Sequence, residues 1–251
     1  MEPISFGENV VTLSIDVGGS GIKGALLDAT GEMISERVRI DTPYPCPPHK
    51  LVATLTEFAS NFEHFDRLSV GFPGLVREGR VYLIPSLSRI ELEGAYSPEL
   101  AKLWEGHNLG ADLSAAFPVP VRLANDADVQ GCAVISGHGL EFVITLGTGV
   151  GAALFWDGTL LPHLELGHAP FRKGDSFEEQ LGNAARKEVG KDRWITRVLR
   201  AIEAYDSFLY ADRIYIGGGN ARLLEGISFP EKVTIVSNTA GILGGIKIWD
   251  R

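Results

Sequence analysis

Cysteine is nearly absent: Cys46 and Cys132 are the two in 251 residues. They stand far apart, form no metal-ligand spacing and suggest no disulfide framework, so a reducing compartment is expected. No basic cluster is visible in a chain with 23 Lys and Arg against 32 Asp and Glu, a net charge of −9. That balance argues against nucleic acid as a partner. It does not argue against phosphate ligands, which backbone amides in glycine loops bind locally. The opening Met1-Glu2-Pro3-Ile4 lacks a basic stretch followed by an apolar run, so no secretory leader is read. No apolar run is long enough to span a bilayer. Low-complexity linkers and an acidic tail are missing as well. The expectation is a cytoplasmic chain with no membrane role. Its 45% hydrophobic content suffices for one large core or two small ones.

What is present is organised around residues 121–128, Val-Arg-Leu-Ala-Asn-Asp-Ala-Asp. Pro118 and Pro120 close off what precedes. Residues 121–124 read as a strand delivering Asn125 and Asp126 to its carboxyl end, and a helix follows from Ala127 to about Ser136. Open α/β sheets place ligands where a strand end opens into a helix. An Asn beside an Asp there can hold a hydroxyl-bearing substrate and take a proton from it. Asp126 could equally be a helix cap.

Glycine loops flank this centre. A buried strand at 10–15 runs into Asp16-Val17-Gly18-Gly19-Ser20-Gly21-Ile22-Lys23-Gly24, with a second strand at 25–27 and a third at 33–40. The glycines thus occupy a hairpin tip, whereas a dinucleotide loop is followed by a helix. Such a tip lets the backbone approach a phosphate, and Asp16 entering it is a natural partner for Mg²⁺ on a phosphate chain. The pattern recurs from Phe142: a strand, Gly147-Thr148-Gly149-Val150-Gly151, a small-apolar strand, a turn at Asp157-Gly158 and a third short strand. Repetition of a whole supersecondary unit predicts two similar halves, each offering one tip to a polyphosphate.

Elsewhere, helices are predicted at 49–62, 98–104, 111–117 and 191–210, the last with a core stripe through Trp194, Val198, Ala201, Ile202, Tyr205 and Leu209. Residues 175–190 read as one polar, solvated helix. A strand at 67–71 ends in Phe72-Pro73-Gly74, a candidate substrate wall, and a hairpin turns at Glu78-Gly79. Glu165 and His168 lie three apart in a short apolar segment, where a polar pair facing a pocket is plausible. A strand at 213–216 ends in Gly217-Gly218-Gly219-Asn220, which fits a nucleotide or simply a tight turn. A last strand at 232–236 and a glycine-rich helix at 240–247 close the chain.

In order, Asp16-Val-Gly-Gly-Ser-Gly-Ile-Lys-Gly-Ala25, Gly71-Phe-Pro-Gly74, Asn125-Asp-Ala-Asp128, Thr145-Leu-Gly-Thr-Gly-Val-Gly151, Glu165-Leu-Gly-His168 and Ile216-Gly-Gly-Gly219 resemble the ROK sugar kinases, and within them the polyphosphate/ATP glucokinase branch. The resemblance spans nearly the whole chain. It implies the α/β, two-lobed, actin-like and hexokinase-like (ribonuclease H-like) fold with duplicated hairpin-led lobes, divided here at 1–118 and 119–251, the last helix packing back on the first lobe. It implies phosphoryl transfer from ATP or polyphosphate, with Mg²⁺, to the 6-hydroxyl of glucose or a related hexose, and a homodimer is expected.

Asp126 would be the general base, and Asn125, Glu165, His168 and Gly74 would face the sugar. Gly18, Gly19, Ser20, Gly21 and Lys23, with Gly147, Thr148, Gly149 and Gly151, would hold donor phosphates. Asp16 would stand near Mg²⁺, and Gly217, Gly218 and Gly219 would border the nucleotide. Many members carry a Cys-rich zinc segment after the Gly-His motif; residues 169–176 hold no cysteine, so no zinc is expected. Ala152 stands where the polyphosphate branch has Ser, and the Ser usual upstream of Trp194 is missing, which leaves the donor open. Other readings are a kinase for another hexose or amino sugar, a non-catalytic sugar-binding relative of the ROK repressors, and an actin-like filament protein. The repressors need a helix-turn-helix ahead of Val10, where nine residues stand. A filament protein has no use for a sugar clamp.

Overall fold

The alternation in Thr-Leu-Ser-Ile-Asp-Val sets the architecture of the first half. In the computed structural model, which describes residues 9–236 and 240–249, this segment is β1 (Thr12–Val17). The N-terminal residues read above for a leader lie outside the described residues. Leu13, Ile15 and Val17 face one core, yet Thr12 and Ser14 on the opposite face are buried too. A strand covered on both faces belongs to the middle of a sheet.

β1 pairs antiparallel with β2 (Ile22–Leu27), which pairs with β3 (Val38–Ile40), and parallel with β4 (Arg67–Phe72). The expected third strand at 33–40 is shortened to its last residues; Met33 contributes a single bridge to Leu27. Helix α1 (Pro48–Ala59) lays Leu51, Leu55 and Phe58 on the sheet, and Gly24 of β2 leaves room for the Phe58 ring. A hairpin, β5 (Leu75–Arg77) and β6 (Arg80–Leu83), and two helices, α2 (Pro98–Trp104) and α3 (Leu109–Ala116), lead to β7 (Val121–Asn125) and α4 (Asp126–Cys132). The sheet order is β3-β2-β1-β4-β7.

The second half repeats this plan with β8 (Leu140–Leu146), β9 (Val150–Trp156) and β10 (Thr159–Leu160). A small hairpin follows, β11 (Pro170–Arg172) and β12 (Asp175–Ser176), and then three helices: α5 (Phe177–Leu181), α6 (Asn183–Val189) and α7 (Lys191–Leu209). Strands β13 (Arg213–Gly217) and β14 (Val233–Ile235) complete the order β10-β9-β8-β13-β14. The α7 stripe is core from Trp194 to Tyr205, both fully buried, and Leu209 at its end is half-buried against the same cluster.

The single solvated helix expected at 175–190 is instead a strand end and two short helices. Ser176 forms a capping box with Glu179, Phe177 and Leu181 are buried, and Phe177 stacks on Tyr205. The cap signal at Ser176-Glu179 outranks the averaged polarity of the segment. The reading that the chain holds no basic cluster also needs correction. The fold gathers Arg172, Lys173, Arg193, Arg197 and Arg200 at one place, although they are scattered in sequence.

The chain ends in α8 (Ala240–Lys247). Ser69 Oγ donates to the Gly245 carbonyl at 2.5 Å and accepts from Trp249 Nε1 at 2.7 Å, so the polar face of the first sheet finds its partners there. Side chains at Gly244 and Gly245 would collide with Val129 and Ser14, and glycine permits this approach. The compact units are therefore Met1–Ala133 with Gly241–Arg251, and Val134–Ala240. The expected division at 118/119 differs because β7 pairs with β4 and so joins the first sheet.

Candidate active site

The end of β7 places the central pair. Asn125 pairs with Phe72 and is the N-cap of α4, its Oδ1 accepting from Ala127 N at 2.8 Å. Its Nδ2 donates to the Gly74 carbonyl at 3.0 Å. The capping duty considered for Asp126 thus falls chiefly to Asn125, and Asp126 takes the first helical position, half-buried, with Oδ1 2.9 Å from the same amide. Asn125 keeps one amide hydrogen and one lone pair for a ligand. Gly74 can stand here because it lacks a Cβ, which would strike the Leu83 carbonyl.

The first glycine tip is braced from outside. Gly18 N donates to Gly21 O at 3.0 Å across the tip. Thr42 Oγ1 donates to Gly18 O and Tyr44 OH to Gly19 O, both at 2.6 Å, and Arg39 donates to Ser20 O at 3.1 Å. Three successive carbonyls are held, which fixes the peptide planes of the loop before any ligand arrives. Thr42, Tyr44 and Arg39 were missed as site residues; the signal was the threonine and tyrosine in the proline-rich loop. Asp16 faces Lys23 across the hairpin, Oδ2 to Nζ 3.7 Å. Burial pushes the Asp16 carboxyl above its ordinary value, and Lys23 partly offsets this. One carboxylate at a phosphate loop suits Mg²⁺, which takes one or two carboxylates and fills the rest of its shell with water and phosphate oxygens.

In the second unit the corresponding tip closes through Gly147 N to Gly149 O at 3.0 Å. Asn220 Nδ2 donates to Gly147 O at 3.1 Å and Asn183 N to Thr148 O at 3.1 Å. Gly217 pairs with Thr145, and Gly218 adopts φ 84°, where a Cβ would stand 2.6 Å from Leu146 N. The structure therefore brings Gly147, Thr148, Gly149, Gly151 and the run of Gly217, Gly218 and Gly219 into one constellation, tied by Asn220.

Glu165 and His168 bracket a 3₁₀ turn, with His168 N donating to Glu165 O at 3.0 Å. The turn packs against β9 because a Cβ on Gly167 would strike the Val150 carbonyl. Each side chain has a neighbour not anticipated as part of the site. His163 Nε2 lies 3.6 Å from Glu165 Oε1, and Glu178 Oε2 lies 3.8 Å from His168 Nε2. Glu178 also accepts from Val150 N at 3.3 Å, so it links His168 to the second tip. The capping serine ahead of α5 was the signal that could have placed it.

The sequence profile of the ROK family matches residues 12–185, more than half of the chain. The chain belongs to the ROK family. A polyphosphate glucokinase of Mycobacterium tuberculosis is 32% identical over 250 residues, covering 92% of this chain and 88% of that one. An N-acetylmannosamine kinase of Escherichia coli is 29% identical, over 61% of this chain and 50% of its own. Among solved structures, the inorganic polyphosphate/ATP-glucomannokinase of Arthrobacter sp. strain KM superimposes with a TM-score of 0.81 at 27% identity, covering 96% of this chain and 99% of that one. The ROK glucokinase of Streptomyces griseus, solved with glucose and AMPPNP, shares the fold with a TM-score of 0.72 at 16% identity, over 95% and 98% of the two chains. The duplicated hairpin-led α/β plan is thus the fold of ROK sugar kinases. No helix among the described residues is long and apolar enough to cross a membrane.

Proposed function

We propose that this ROK protein is a glucokinase-type phosphotransferase that moves a phosphoryl group from ATP or polyphosphate to the 6-hydroxyl of glucose. The observation that carries the reading is the division of labour at the end of β7. Asn125 caps α4 and holds the Gly74 loop, and the half-buried Asp126 follows it at the first helical position, where the strand opens into the helix. In this reading Asp126 takes the proton from the sugar hydroxyl. Asn125, Gly74, Glu165 and His168 bind the sugar's other hydroxyls. The amides of residues 18–21 and 147–151, with Lys23, cradle donor phosphates, and residues 217–219 border a nucleotide. Asp16 would hold Mg²⁺, which when bound neutralises charge on the transferring phosphoryl group. The protein's own work is positioning and charge complementarity.

The kinship with polyphosphate glucokinases supports both the sugar and the polyphosphate donor. The amino-sugar kinase among the relatives supports a second substrate class. Purified protein incubated with Mg²⁺ and a panel of glucose, mannose and N-acetylmannosamine, once with ATP and once with polyphosphate, tests all of this. The expected product is glucose 6-phosphate. Absence of sugar phosphate with every pair would remove the kinase reading, and turnover of N-acetylmannosamine alone would replace the substrate.

A further inference from the structure

Apart from the glycine tips, the second unit carries a concavity of about 290 Å³ lined by Arg172, Lys173, Arg193, Thr196, Arg197 and Arg200. The α7 arginines stand at i, i+4 and i+7, so they share one helix face over roughly 10 Å. The opposing wall is the β11–β12 hairpin, which turns on Lys173 at φ 56° and Gly174 at φ 89°. Both central residues of this turn are left-handed, and lysine is an uncommon occupant of that conformation. The tight turn fixes where the lysine's backbone stands at the rim.

None of the five cations is ion-paired among the described residues. Arg172 donates to the side-chain oxygen of Gln180 and Arg197 to its main-chain oxygen, each at 3.3 Å. Like charges at helical spacing repel. An arrangement of this kind in a chain of net charge −9 calls for an anion to neutralise it.

The wall selects which anion. Guanidinium forks and an ammonium match phosphate oxygens. No aromatic side chain lines the concavity, so a base has nothing to stack on, which disfavours single-stranded nucleic acid. Lys173, Arg193 and Arg200 are exposed, so the site is an open track along the surface and suits a chain. We propose that this groove binds linear inorganic polyphosphate along its length. Where the donor reading above holds, the groove retains the distal part of a long donor chain between turnovers.

The test uses the full chain without sugar. Calorimetric titration with long-chain polyphosphate and with tripolyphosphate compares wild type with the triple variant Arg193→Gln, Arg197→Gln, Arg200→Gln. Gln keeps helix propensity close to that of Arg, and Lys173→Gln on its own serves as the independent variant should the triple fail to fold. Long-chain affinity should fall at least tenfold in the triple variant. The slope of log affinity against log salt should become shallower by about two, taking roughly 0.7 per neutralised phosphate from single-stranded nucleic acids. Tripolyphosphate, which fits within the arginine row, should lose affinity to a lesser degree than the long chain, and the KM for ATP, measured separately with sugar, should not change. Unchanged long-chain affinity in the triple variant, or in Lys173→Gln if that alone folds, overturns the proposal. So does an equal loss for tripolyphosphate and ATP, and so does displacement of polyphosphate by an RNA of equal charge at equal concentration. Groove-dependent binding without phosphoryl transfer from polyphosphate would keep the groove and remove the donor reading. Transfer with an unaltered long-chain KM in the triple variant would do the reverse.

Discussion

The two units are the same sheet built twice and equipped differently. Both run hairpin, third strand, then two parallel strands, in the order β3-β2-β1-β4-β7 and β10-β9-β8-β13-β14. The registers Asp16↔Gly71 and Thr145↔Gly217 make Asp16 and Thr145 equivalent positions. Across their hairpins stand Lys23 and Gly151. One hairpin therefore pairs an acid with a base at these positions, whereas the other pairs two uncharged residues and has its carboxylate supplied by Glu178, which accepts from Val150 N. The fifth strands differ as well: β7 runs into Asn125 and Asp126, whereas β14 stops at Ile235. The duplicated scaffold thus presents two glycine tips with different side chains around them: Asp16 and Lys23 at the first, Glu178 and His168 beside the second.

The sharpest way to break this asymmetry is Asp126→Asn. If the first unit holds the base, turnover falls by about 10²–10⁴-fold, with sugar affinity and melting temperature close to wild type. Rapid-quench assay of sugar phosphate and calorimetric sugar binding measure the two. Turnover within threefold of wild type would move the base elsewhere.

Next in size are glycines of the second unit. Gly218→Ala forces a Cβ into the Leu146 backbone at φ 84°, and such strain costs about 1–3 kcal/mol. Gly147→Ala meets nothing within 4 Å. Its melting temperature should hold, and its donor KM should rise if the cradle binds phosphate by close backbone approach. Equal melting temperatures for the two variants would contradict the packing described here.

A buried acid distinguishes the units at another equivalent pair, Thr12 and Glu141, both fully buried. Arg67 Nε donates to Thr12 Oγ1 at 2.7 Å. Glu141 instead accepts from Ser136 N and Oγ, Gly137 N, His138 N and Tyr215 OH, at 2.7–3.2 Å. Burial alone would raise its carboxyl, but these donors, Tyr215 foremost, bring it below the ordinary 4.5. A depressed folded-state value means the stabilisation is full above 4.5 and is lost as pH falls through the lower folded value. Glu141→Gln should cost about 1–3 kcal/mol near neutrality, and the gap to wild type should narrow as pH drops below 4.5. Denaturant melts at several pH values check it; a gap constant with pH would mean that charge at Glu141 is irrelevant.

The duplication was legible because glycine tips and alternating apolar residues leave periodic marks: Leu13, Ile15 and Val17 in one copy, and Phe142, Ile144 and Leu146 in the other. The position of Asp126 was legible because a strand that ends in polar residues before a helix has few readings. The bracing was not. Thr42, Tyr44, Arg39 and Asn220 act through contacts between segments far apart in sequence, and hydroxyl or amide side chains in loops carry no period. Residues 175–190 misled because composition averaged over a buried Phe177 and Leu181. The basic groove was hidden for a related reason: its charges come from a hairpin and a helix about twenty residues apart, and meet only in the fold.

The smallest expected effect is also the strictest test of the repeat. Asp66, just before β4, exchanges two bonds with Val11: its Oδ2 accepts from Val11 N at 2.7 Å, and its own N donates to Val11 O at 2.8 Å. Asp212, just before β13, does the same with Leu140, at 2.8 Å in each bond. In both units an aspartate thus clips the start of the hairpin's first strand to the start of its parallel neighbour, where an edge amide would otherwise face water. The Val11 bond, ahead of the exposed His64, holds the Asp66 carboxyl below its ordinary value. Removal of one charged acceptor at a solvent-facing site should cost about 0.5–1 kcal/mol. Asp66→Asn and Asp212→Asn should then lower stability by similar amounts. The double variant should show their sum, because each bond closes within its own unit and shares no partner with the other. Denaturant titration of the two single variants and the double measures this. A cost confined to one site would show that only one copy of the clip bears on stability.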